Sequence, residues 1–112
     1  MNKNDNINVN LTIDEAVKKI EVADIGLSFS IEGRSVVEFS NEKKCVVLVG
    51  EKYFYRARNY AAITVILNNV GEYTNIDIIT AGAKGDFLEF DWGAGNKFKK
   101  QIKEIFSGYI IE

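Results

Sequence analysis

The chain has 112 residues, 46% of them hydrophobic and 27% charged, which is enough for one compact core without metals or disulfides and too little for two. Its formal net charge of -2 argues against a whole-surface attraction to nucleic acid or an anionic membrane, which needs a basic balance. Histidine is absent and cysteine occurs once, which excludes Ser-His-Asp and Cys-His nucleophiles, the usual zinc ligand sets and an internal disulfide.

No apolar run approaches the roughly 18 residues that a membrane span needs. The opening Met1-Asn2-Lys3-Asn4-Asp5-Asn6 lacks the basic-then-apolar pattern of a signal peptide. These features predict a cytoplasmic domain spanning residues 1–112, with residues 1–5 disordered.

Ile7, Val9 and Leu11 alternate with Asn6, Asn8 and Asn10, the two-residue period of a strand with one buried and one wet face. Thr12-Ile13-Asp14-Glu15 matches a capping box, in which hydroxyl and carboxylate satisfy each other's backbone N–H. A helix follows: Ile13, Ala16, Val17 and Ile20 fall on one side, Lys18, Lys19 and Glu21 on the other, and Asp24 to Gly26 closes it.

From Leu27 to Thr80 the pattern becomes that of strands. Leu27, Phe29 and Ile31 alternate with polar residues, Gly33-Arg34-Ser35 reads as a turn, and Val36 to Phe39 returns the chain as a hairpin. Asn41-Glu42-Lys43 is the next turn. Cys45 to Val49 is continuously apolar, as for a central strand covered on both faces. Ile63 to Leu67 is rich in β-branched residues, Asn68-Asn69-Val70-Gly71 is turn chemistry, and Tyr73 to Thr80 runs back.

Leu88, Phe90 and Trp92 share one face of a further strand, and Phe98, Ile102, Ile105, Phe106 and Tyr109 form a helical stripe that Asp91 caps and Gly108 ends. The order of elements predicts an α+β fold. It is a two-layer sandwich: a mostly antiparallel sheet of about five to seven strands, with an N-terminal helix and a longer C-terminal helix on one face, in a helix-grip-like arrangement.

The most site-shaped feature is the corner Asp91-Trp92-Gly93-Ala94-Gly95, where a strand turns sharply into a helix whose free N–H groups carry partial positive charge for an anion such as a carboxylate or phosphate. Gly93-Ala94-Gly95-Asn96-Lys97-Phe98 imitates a dinucleotide fingerprint, but Phe98 stands at the third glycine and no βαβ unit can follow. Gly82-Ala83-Lys84-Gly85 lacks the spacing and ending of a phosphate loop and reads as a hairpin turn.

Tyr53-Phe54-Tyr55-Arg56-Ala57-Arg58-Asn59-Tyr60 mixes aromatics with arginines, the material of a stacking platform for single-stranded nucleic acid, although it matches no RNA-recognition signature. Glu89 and Asp91 lie roughly 7 Å apart on one strand face, as paired carboxylates or as an ordinary solvated face. Cys45, followed by Val46 and Val47, reads as a small buried hydrophobe rather than a nucleophile.

Glu51-Lys52-Tyr53-Phe54-Tyr55-Arg56-x-x-Asn59, Ile63-Thr64-Val65 and Asp91-Trp92-Gly93-Ala94-Gly95 together resemble a family of small bacterial proteins catalogued only as a domain of unknown function. The likeness runs from about Val46 to the C-terminus, and it implies no activity, substrate or partner.

The residues thus predict a non-enzymatic domain that binds a small ligand, with an anion as one option, beside the corner at residues 91–97, through Tyr53, Tyr55, Arg56, Arg58, Asn59, Trp92, Gly93 and Gly95, with no metal or cofactor. The alternative is a homodimeric interaction module working through its sheet, since exposed aromatics and arginines anchor interfaces. An RNA-binding protein, or an enzyme without a recognisable motif, ranks third. Nucleic acid and membrane are not expected partners.

Overall fold

The computed structural model describes residues 4–27, 29–54, 59–81 and 99–111. Along the chain come β1 (Asn4–Val9), α1 (Ile13–Leu27), β2 (Phe29–Ser40), β3 (Lys43–Phe54), β4 (Asn59–Asn68), β5 (Thr74–Ala81) and β6 (Ile110–Ile111). Residues 99–105 form a second helical segment, α2. The strands make one sheet in the order β2-β3-β4-β5-β1-β6, and every described pairing is antiparallel.

Register sorts the two faces of this sheet. Val46, Leu67, Ile76 and Ile7 lie in one row across β3, β4, β5 and β1, and Leu48, Val65 and Ile78 lie in the next. Because side chains alternate between faces, these rows and Ile63 share the inner face, where all but the half-buried Ile7 are buried. Ile13, Ala16, Val17 and Ile20 of α1 join the same core, as do Ile102 of α2 and Phe106 just beyond it. Each buried branched side chain contributes about 1.5–3 kcal/mol relative to exposure.

The capping box is present in full. Thr12 N donates to Glu15 Oε1 at 2.9 Å, and Glu15 N donates to Thr12 Oγ1 at 3.1 Å. The helix does not close at Asp24 to Gly26 but continues to Leu27.

Gly33-Arg34-Ser35 is not a turn. β2 runs through it as a continuous twelve-residue strand, with register shifts between Ile31 and Gly33 and between Glu38 and Ser40. The first shift makes Glu32 an extra residue opposite the step from Gly50 to Val49. A glycine beside a bulge is tolerated inside a strand, and that is the signal that imitates a turn in the sequence.

The hairpin turn lies instead at Asn41 and Glu42, which join β2 to β3 with φ of 41° and 70°. Positive φ at both positions is the geometry of a two-residue type I′ turn, whose twist matches the flanking strands.

β3 is central in pairing, lying between β2 and β4, but it is not covered on both faces. Val46 and Leu48 are buried on the inner face, whereas Val49 on the outer face is 41% exposed. The next turn is held by Asn69, whose Oδ1 accepts from Lys44 N at 2.8 Å while its Nδ2 donates to Glu42 O at 2.9 Å.

The expected longer C-terminal helix, and with it the helix-grip arrangement, is not formed. The sheet dominates, both helices are short, and the longer is α1, with 15 residues. After residue 105 the chain leaves the helix through tight turns, with Phe106 N donating to Lys103 O at 3.0 Å and Tyr109 N to Phe106 O at 2.9 Å. Gly108 takes φ of 91°, a left-handed conformation that glycine adopts without strain. Ile110 and Ile111 then pair with Val9 and Asn8, so residues expected to follow a long helix become an edge strand.

Candidate functional site

The described core residues of both helices pack with the inner face of the sheet, and among the described residues the outer face divides into a polar and an apolar half. At the β1 end Asn6, Asn8 and Asn75 form an amide ladder: Asn6 Nδ2 donates to Asn75 Oδ1 at 3.0 Å, and Asn75 Nδ2 donates to Asn6 Oδ1 at 2.7 Å and Asn8 Oδ1 at 2.8 Å. Asn6 and Asn75 each donate and accept in this ladder, and Asn8 accepts through its Oδ1. Beside it, Asp77 Oδ1 is buried and has no hydrogen-bond partner among the described residues.

Toward β2 the outer face turns apolar, with Val37, Cys45, Val47, Val49 and Ile66 on facing strands. Cys45 is half-buried there rather than part of the core. At the far end of the β3–β4 hairpin, Tyr53 and Tyr60 face each other, their ring centroids 5.1 Å apart at 65°. That edge-to-face geometry places the positive ring edge on the negative ring face.

Tyr53 is the one predicted ligand residue whose side chain is described. Asn59 opens β4, paired with Phe54, and its backbone alone is described. Tyr55, Arg56, Arg58, Trp92, Gly93 and Gly95 lie outside the described residues. So do the Gly82 to Gly85 turn, the Leu88 to Trp92 strand and the Glu89/Asp91 pair. Of the predicted set, the described residues place only Tyr53 by its side chain, and its ring partner is Tyr60.

The residues missed in the sequence lie on β2. It is an edge strand: β3 pairs with one side of it, and no described strand pairs with the other. Val36, Val37 and Phe39 are 46%, 50% and 57% exposed, on opposite sides of the same strand. Arg34 forms an ion pair from its Nη2 to Glu21 Oε2 on α1. Reading Gly33 to Ser35 as a turn concealed this edge, because it divided one long strand into two short ones.

An open cleft of about 1160 Å³ lies at one end of the sheet, between the start of α1, the Asn41–Glu42 turn and the turn before β5. Its two lysines are engaged: Lys44 Nζ lies 2.8 Å from Asp14 Oδ1, and Lys43 Nζ donates to Asn69 O at 3.1 Å. The cleft is thus bridged by structural contacts that tie α1 and the β4–β5 turn to β3. Among the described residues no group of three acidic or cysteine side chains is placed to hold a metal ion, and no described helix is long and apolar enough to cross a membrane.

The family model described as "Family of unknown function (DUF6054)" matches residues 2–110, and the chain belongs to that family. The match reaches well beyond the stretch from Val46 onward that carries the resemblance in sequence. No curated protein and no solved structure matches the chain.

Proposed function

We propose that this protein is a non-enzymatic interaction module that works by self-association through its sheet. The observation that carries the reading is the open edge of β2. It is twelve residues long, carries exposed Val36, Val37 and Phe39, and has no described strand on its outer side. An unpaired strand edge with exposed apolar side chains is a template for another strand, and edges are blunted by shortness, cover, proline, charged side chains or bulges. Among the described residues β2 is long, unpaired on its outer side and free of proline, and between its two bulges Gly33 to Glu38 form a regular run that carries one charge of each sign, Arg34 and Glu38. The apolar half of the outer face adjoins it and would extend the contact area. The small-ligand alternative rests on Tyr53 and Asn59 together with Tyr55, Arg56, Arg58, Trp92, Gly93 and Gly95, which lie outside the described residues.

Sedimentation equilibrium from low micromolar to millimolar concentration tests the reading. A reversible rise from one chain mass to two is the expected result. A single-chain mass across the whole range would end it.

A further inference from the structure

Resting on that reading, we propose that the partner of β2 is β2 of a second copy, paired antiparallel about a two-fold axis through Val36. The pairing of β2 with β3 is regular from Gly33 opposite Val49 to Glu38 opposite Lys44, and each end of that run is marked by a bulge. Within it, residues 34 to 38 are centred on Val36. The bulges end the regular run instead of interrupting it, so they limit how far a second strand can extend.

Charge selects the register. When Val36 faces Val36 of the second copy, Arg34 faces Glu38 and Glu38 faces Arg34, so one two-fold operation creates two opposite-charge pairs. Arg34, Val36 and Glu38 are two residues apart and share a sheet face. Arg34 already meets Glu21 of its own helix, yet its side chain is 47% exposed. A guanidinium has five N–H donors and can serve a second carboxylate.

Neighbouring registers lack this match. A two-fold axis through Ser35 sets Arg34 against Val36 and leaves Glu38 opposite the bulge at Glu32, with no ion pair. An axis through Val37 sets Arg34 against Ser40 and Glu38 against Val36, with no ion pair. An in-register parallel arrangement sets each charge against itself. Because the two-fold contact uses the same edge on both copies, it closes as a dimer rather than propagating.

Cross-linking tests the register directly. Residues directly opposite in an antiparallel pair have Cα atoms about 4.5–5.5 Å apart, within the span of a disulfide. On a Cys45→Ala background, Val36→Cys should form a covalent dimer under mild oxidation. Val37→Cys, whose mate is offset by two residues to roughly 8 Å, should cross-link at least about tenfold more slowly.

Charge exchange supplies a second readout. Glu38→Arg should weaken association severalfold, and adding Arg34→Glu should restore it, with circular dichroism confirming that each variant folds. Equal or faster cross-linking at Val37→Cys, or no rescue by the double exchange, would overturn the register. If the wild-type chain dimerises yet Val36→Cys does not cross-link, this inference falls and the interaction reading stands; a wild-type monomer at millimolar concentration removes the reading itself.

Discussion

Gly50 lies against Phe29 so closely that a Cβ added at Gly50 would sit 2.5 Å from Phe29 Cε1 and closer still to the carbonyl oxygen of Ser30. The glycine on β3 is what lets the ring, 2% exposed, turn into the core from β2. Gly50→Ala would force either the ring or the β2 backbone to move. Overpacking of this kind costs about 1–3 kcal/mol, and the carbonyl contact, being backbone, places the expected loss toward the upper end. The urea midpoint of the variant checks it; an unchanged midpoint would contradict the placement of Phe29.

Glu42 occupies φ of 70° in the two-residue turn, where a side chain is strained and glycine is not. The backbone carbonyl that accepts from Asn69 Nδ2 is kept by any residue. Glu42→Gly is therefore expected to stabilise the fold by about 0.5–1 kcal/mol net of its greater unfolded-state entropy. Thermal unfolding measures it, and a loss of similar size would argue that the turn is of another type.

Thr12 and Glu15 satisfy two of the four N–H groups left open at the start of α1. Thr12→Ala is predicted to lower stability by about 1 kcal/mol, while Thr12→Ser should retain most of it. Chemical unfolding of the two variants side by side separates the lost hydrogen bond from the lost methyl group.

Burial pushes the Lys52 ammonium below the ordinary lysine range, because partial removal from water disfavours the charged form. The unfolded chain then binds this proton more tightly than the folded one, so stability rises with pH between the lowered folded value and the ordinary one. Below that window the penalty is fully present. Lys52→Met should flatten the rise in stability between neutral pH and the alkaline limit of the fold. A slope identical to wild type would show that Lys52 is not desolvated.

The elements most legible in the sequence are those whose local pattern and tertiary role agree. Ile7 and Val9, Thr12 with Glu15, and the alternation of Ile76 and Ile78 each obey one period throughout. Gly33 misled because a bulged glycine and a turn glycine have the same neighbours in sequence, and only the pairing with Val49 distinguishes them. β6 was invisible because a two-residue strand has no period; Ile110 and Ile111 belong to the sheet only through β1. Of the candidate site residues, Tyr53 stands out in the sequence through its aromatic neighbourhood, whereas its ring partner Tyr60 is set by the β3–β4 register. The edge character of β2 depends on strand order, which pairwise side-chain patterns do not encode.

Amide hydrogen exchange along β2, measured at low and at high protein concentration, tests the central claim most directly. Self-association through this edge predicts that the outward-facing amides between Gly33 and Glu38 exchange freely in dilute solution and become protected as concentration rises, while those of β4 do not change. Exchange across Gly33 to Glu38 that is independent of concentration would contradict it.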